Sequence, residues 1–244
     1  MTLEVCIDSV ESALAAQRGG AGRVELCADL AHGGTTPSAG MIKSVRDRIS
    51  IALSVMIRPR PGDFIFSDLE FDIMKRDVSI AKDMGADGVV IGVLTDKGDI
   101  NVEKTRNLVQ LARPMSVTFH RAFDECTDSL QALDCLKSAG VSRVLTSGGK
   151  GDISENIDTL AELVKCAGSS FSIMAGGGIT SENVNDIVSR THVDDVHVLS
   201  AVSSIISRDH LRSKLFSFSQ WLVDESKVHA MVNRLRVHSA DSQE

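Results

Sequence analysis

Leu3–Asp8 reads LEVCID and Val24–Asp29 reads VELCAD, the same pattern twice: acid, apolar, cysteine, apolar, acid. In a strand, alternate residues share a face. Glu4, Cys6 and Asp8 then point one way, and Leu3, Val5 and Ile7 the other. Glu25, Cys27 and Asp29 oppose Val24 and Leu26 in the same manner. A short helix, Val10–Arg18, joins the two stretches before the Gly19–Gly20 break. A strand–helix–strand unit makes its strands parallel and adjacent. With matched registers, two thiols and four carboxylates face one space.

The rest of the chain repeats that unit. Further strands are read at Ile51–Ile57, Gly88–Leu94, Met115–Arg121, Arg143–Ser147, Phe171–Ala175 and Asp195–Leu199. Helices are read between them. One starts at Ser67 with Glu70 three residues on, a capping box. Another is capped by Ser181 and runs Glu182–Ser189. Eight βα units in 244 residues predict a single-domain (β/α)8 barrel over residues 1–204. Residues 205–244 are expected to add a helical segment (Gln220–Leu235) packed on the barrel, then a polar tail. A doubly wound open sheet is the alternative, but no G-x-G-x-x-G follows the first strand.

Composition narrows the functional classes. A formal charge of −7 argues against a general nucleic-acid surface. No apolar run approaches the ~20 residues that span a bilayer. The N-terminus lacks a basic n-region, and Glu4 and Asp8 interrupt its apolar residues, against a signal peptide. Five cysteines without a C-x-x-C suggest reduced thiols and a cytoplasmic setting. Cys126, Cys135 and Cys166 fall on or near helices and read as packing.

Functional groups of such barrels gather at the C-terminal strand ends. Two chemistries can be read there. Thiolate, thioether and imidazole ligands suit Cu(I), and Cys6 and Cys27 on neighbouring strands would lie about one strand spacing apart, ~4.8 Å. Buried cysteine also serves as a small hydrophobe, but Glu4 and Glu25 are not ordinary core companions. The second chemistry is an anion site for a small anionic or phosphorylated metabolite. Gly176, Gly177 and Gly178 before a helix offer free N–H groups, and Arg58 and Arg60 add fork-shaped donors. His120, Asp124, Glu25 or Asp29 would then serve as acid or base. Arg58 and Arg60 could instead pair internally with Glu4, Glu25 or Asp29.

The chain also resembles the CutC family, named for copper homeostasis. The matching stretches are LEVCIDSVESALAAQRGGAGRVELCADL, GGTTPS, MIRPRPGDF with Ser67 and Asp68, GADGVVIGVL, TFHRAFD (Thr118–Asp124), RVLTSGG and GGGI. They run in the family's order from Leu3 to about His197. The resemblance implies a (β/α)8 barrel, a cytoplasmic location, assembly as homodimers or homotetramers, and Cu(I) handling through cysteines matching Cys6 and Cys27. It does not define an enzymatic activity. The chain departs from the family pattern at His197-Val198-Leu199-Ser200-Ala201, where the family has His followed more closely by Ser-Ala. No role is therefore read for His197 or Ser200, and no site from Ile205–Ser219.

Overall fold

The computed structural model describes residues 1–206 and 220–241. Eight parallel strands close into a barrel in sequence order. They are β1 (Thr2–Ile7), β2 (Arg23–Leu26), β3 (Ala52–Met56), β4 (Gly88–Ile91), β5 (Ser116–Phe119), β6 (Arg143–Thr146), β7 (Ser172–Ala175) and β8 (Asp195–Val198). β8 pairs back onto β1, with Glu4 opposite His197. The helices α1 (Val10–Arg18), α2 (Ala39–Arg46), α3 (Asp68–Asp83), α4 (Val102–Ala112), α5 (Ser129–Ala139), α6 (Ile157–Ala167) and α7 (Val184–Thr191) follow the first seven strands. The predicted barrel is the observed one.

Local chemistry sets the helix boundaries. Ser67 and Glu70 form the full capping box that starts α3. α5 stops at Gly140, whose positive φ of 84° suits a residue without Cβ. The start of α7 differs from the expected Ser181 cap. Thr180 Oγ1 instead accepts from the Glu182 and Asn183 amides, and Ser181 turns to the Glu182 carboxylate. The helix begins only after that turn, at Val184.

The tail is also not simply helical. β9 (Ser203–Ile206) and β10 (Gln220–Val223) form an antiparallel pair, and only then does α8 (Glu225–Asp241) begin. The expected helix over Gln220–Leu235 is therefore a strand followed by a helix. QWLV is too short to show periodicity, and its register depends on β9. Residues 207–219 lie outside the described residues. α8 packs against α1 and α7. A Cβ on Gly19 would lie 2.5 Å from Val228 Cβ, so glycine is what allows that close approach.

Burial divides the barrel in two. Val5, Ile7, Val24, Leu26, Leu53 and Val55 point outward into a continuous apolar layer under the helices. Inside, the apolar cluster at the mouth is small: Cys6, Cys27, Met56 and Val90. Beneath it the interior is charged. Glu4, Arg23, Glu25 and Asp195 are each less than a tenth exposed. Charges buried to this degree persist only when paired, and the pairing shapes the site above.

Candidate functional site: a thiol pair on a buried ion-pair network

β1 and β2 run in a register that sets Cys6 opposite Glu25. The Cys27 amide donates to the Ile7 carbonyl at 2.9 Å and extends the ladder by one step. Both cysteine side chains therefore face the barrel axis, with Sγ atoms 3.9 Å apart. Cys27 Sγ lies 3.6 Å from Glu25 Oε2. Together the two thiols and this carboxylate form a cluster whose donor atoms lie within 4.8 Å of one another. Of the four carboxylates expected there, two are absent. β1 ends before Asp8, which is only half-buried. Asp29 takes a left-handed conformation (φ 49°) and turns to His32.

Arg23 binds Glu4 through its Nε and Asp195 through Nη2 at 2.9 Å. Arg143 Nε adds a second cation, 2.8 Å from Asp195. Above them His197 Nδ1 sits 2.7 Å from Glu4 Oε1, and its Nε2 lies 3.7 Å from Glu25. The network was not read from the sequence, although Arg23 is in phase with Glu25 and Cys27. Arg143 and Asp195 likewise open their strands. The signal was there: a charged residue at the first inward position of three strands.

Titration follows from these contacts. Burial opposes the imidazolium of His197, but Glu25 and its contacts with Cys6 and Glu4 raise its pKa well above the usual value. The Cys27 thiol hydrogen-bonds Cys6 and, against burial and with help from His197, brings Cys6 down to about 6. Cys27, donating to its neighbour and buried, is pushed up. Burial and then the Cys6 charge raise Glu25. The two thiols are thus pushed apart, Cys6 towards the thiolate and Cys27 towards the thiol, with Glu25 raised beside them above the ion-pair network.

Burial alone would raise Glu4, yet the His197 hydrogen bond and the Arg23 charge hold it down from 4.5 to about 2. A carboxyl depressed on folding stabilises the native state above its unfolded pKa. That stability is lost as pH falls through the folded value. The shift corresponds to about 3 kcal/mol, at 1.36 kcal/mol per unit. We expect Glu4→Gln to be less stable than the native protein at pH 6, and the gap to close as pH falls from about 4.5 towards 2. Urea unfolding of both proteins across that range checks it; a gap independent of pH would contradict the assignment.

The thiols open on a cavity of 310 Å³ lined by, among others, Leu30, Met56, Arg58, Phe64, His120, Arg121 and His197. Arg58 donates to the carbonyls of Gly34 and Gly62 at 3.0 and 2.7 Å. It makes no ion pair among the described residues, so the expected pairing with Glu4, Glu25 or Asp29 is absent. Arg60 does not line the cavity. It bonds Glu70 and Asp63 at the base of α3. The Asp152 carboxylate lies against the glycine turn, where a Cβ on Gly178 would collide with it. Gly176 lies against Leu145 and His197, and Gly177 against Arg121. Asp124 is buried under donors from Arg121, Thr146 and Ser147 and is not among the residues that line the cavity. His120 lines the cavity with its Nδ1 accepting the Ala122 amide at 3.0 Å. Burial and the nearby Arg58 bring its pKa down to about 3. Its ring crosses Gly92, where any Cβ would collide with it.

A closed parallel barrel carrying a dithiol–carboxylate cluster at its mouth defines a class, and the comparisons define the family. The CutC family model matches residues 1–202, and the chain belongs to that family. A copper homeostasis protein cutC homolog of Mus musculus is 48% identical over 195 residues, covering 80% of this chain and 72% of that protein. A family protein CutC of Photobacterium profundum is 42% identical and covers 96% of this chain and 98% of its own. The crystal structure of a CutC protein from Streptococcus agalactiae superposes with a TM-score of 0.76 at 36% identity, covering 81% of this chain and 98% of that one. Among the described residues no helix is long and apolar enough to cross a membrane.

Proposed function

We propose that this CutC-family protein acts in copper homeostasis by binding Cu(I) between Cys6 and Cys27, with Glu25 beside them. The observation that carries the reading is the 3.9 Å separation of the two buried sulfurs. Metal–thiolate bonds of about 2.3 Å, the length known for zinc, span up to about 4.6 Å between two sulfurs. One ion therefore fits with a bent S–metal–S angle. Soft thiolates select Cu(I) among first-row metals, and the Met56 thioether belongs to the same cluster.

The Cys27 thiol, pushed up by its hydrogen bond with Cys6 and by burial, enters the site protonated. Binding then releases a proton from Cys27, so affinity should rise with pH. A cytoplasmic location and assembly as dimers or tetramers belong to the same reading, supported by the reduced thiols and the family likeness.

X-ray absorption of protein loaded anaerobically with one equivalent of Cu(I) tests the reading. A first shell dominated by sulfur is expected. A shell of nitrogen and oxygen would place the metal elsewhere and defeat the proposal.

A further inference from the structure

The cavity is far larger than a single ion needs. We infer that it also seats a small organic carboxylate, held at the rim by Arg121 and in the wall by Arg58 and His120, with its body directed at the thiol pair. This goes beyond the copper reading and does not depend on it.

The anion end is built from donors that lack partners. Arg58 is 6% exposed; backbone carbonyls fix its Nη atoms, while Nε is buried with no acceptor. The guanidinium is thus preorganised, and its charge is left without a carboxylate. His120 is 5% exposed. Since its Nδ1 accepts from Ala122, the ring hydrogen is on Nε2, which is also buried without an acceptor. A buried donor left unpaired carries a desolvation cost that a ligand oxygen would remove. The half-buried Phe64 covers both groups, 4.9 Å from the His120 ring centre and 5.0 Å from the Arg58 guanidinium carbon. It lies on the loop after β3 and lines the same cavity.

Arg121 supplies the entry. Its side chain is 43% exposed. Asp124, Ser147 and Gly151 hold its Nε and Nη2, while Nη1 lies beside the bare Cα of Gly177. The seat adjoins the thiols. A Cβ on Gly34 would lie 3.1 Å from Cys27 Sγ, and the Gly34 carbonyl accepts from Arg58 at 3.0 Å. Leu30, Met56, Leu145 and Leu199 supply apolar wall for a carbon body.

The charge chosen is single. The Asp152 carboxylate lies against Gly178 in the glycine turn, where it would repel a phosphate. Cys6 and Cys27 share the same cavity, and a thiolate there repels a dianion more than a monoanion.

Alkylation tests this on the intact protein. Iodoacetate carries the carboxylate; iodoacetamide is its neutral analogue. In each case a thiolate sulfur displaces iodide from the CH2 carbon, forming a C–S bond as the C–I bond breaks. The exposed Cys166 is the internal reference. We expect the iodoacetate-to-iodoacetamide rate ratio at the Cys6/Cys27 pair to exceed that at Cys166 by about tenfold or more, the low end of electrostatic enrichment. Arg121→Gln should remove most of the excess, and Arg121→Lys should restore part of it. In the native protein, propionate should slow iodoacetamide labelling of the pair, and propionamide should not. Equal ratios at the pair and at Cys166, resistance of the pair to both reagents, or no protection by propionate would each overturn the inference. Loss of copper binding would leave the alkylation preference intact, so the two proposals fail separately.

Discussion

Glu4→Ala is expected to cost about 3–5 kcal/mol of unfolding free energy at neutral pH, the range found when one partner of a buried ion pair is removed. Glu4 is fully buried and, among the described residues, is the only carboxylate that touches both Arg23 and His197. Without it Asp195 must serve two arginines alone, and His197 keeps the longer 3.7 Å contact with Glu25. A domain of ordinary stability has about 5–15 kcal/mol in all, so the loss is a large share of the whole. Denaturant unfolding of the purified variant checks it. A loss below about 1 kcal/mol would mean that Asp195 and solvent compensate, and the network would not be the base of the site.

Glu25 makes the informative contrast. Its carboxyl is raised by burial and by the Cys6 charge where that of Glu4 is held down, so an amide in its place costs less than at Glu4. Two glutamates at equivalent places in a repeated motif thus have different tasks. Glu4 supports the barrel floor, and Glu25 stands beside the thiols.

That distinction was not legible in the sequence. The repeated LEVCID/VELCAD pattern revealed the inward faces of β1 and β2, and the eight-fold alternation revealed the barrel. What it could not reveal was register. Cys6 pairs with Glu25 rather than with Cys27, and closure of β8 on β1 places His197 at Glu4. The place of His197 follows from that closure, a contact between chain ends that no local spacing encodes. Asp8 and Asp29 were assigned to the interior because alternation was carried past the last paired residues, Ile7 and Leu26. Arg60 failed to reach the cavity for a similar reason. The Pro59–Gly62 turn redirects it to Glu70, whose position on α3 depends on how the helix packs. The glycine run reads as an anion cradle in isolation, and only the fold shows Asp152 from the β6–α6 loop already lying against it.

The second large effect concerns the metal. Loss of an outer partner of a metal ligand costs about 10–100-fold in affinity. Loss of both thiolates should cost well over that, because Glu25 and His197 alone offer oxygen and nitrogen donors in place of the soft sulfurs. Each single serine variant should keep part of the affinity, since one thiolate and Met56 remain. The serine substitutions should leave the fold intact, as the cysteines pack in a small cluster of their own away from the main apolar layer.

The most direct measurement is an anaerobic Cu(I) titration against a competing chelator of known affinity, comparing the native protein with folded Cys6→Ser/Cys27→Ser. The account predicts one tightly held Cu(I) per chain in the native protein and its loss in the double variant. Equal binding by the two proteins, or none by either, would contradict it.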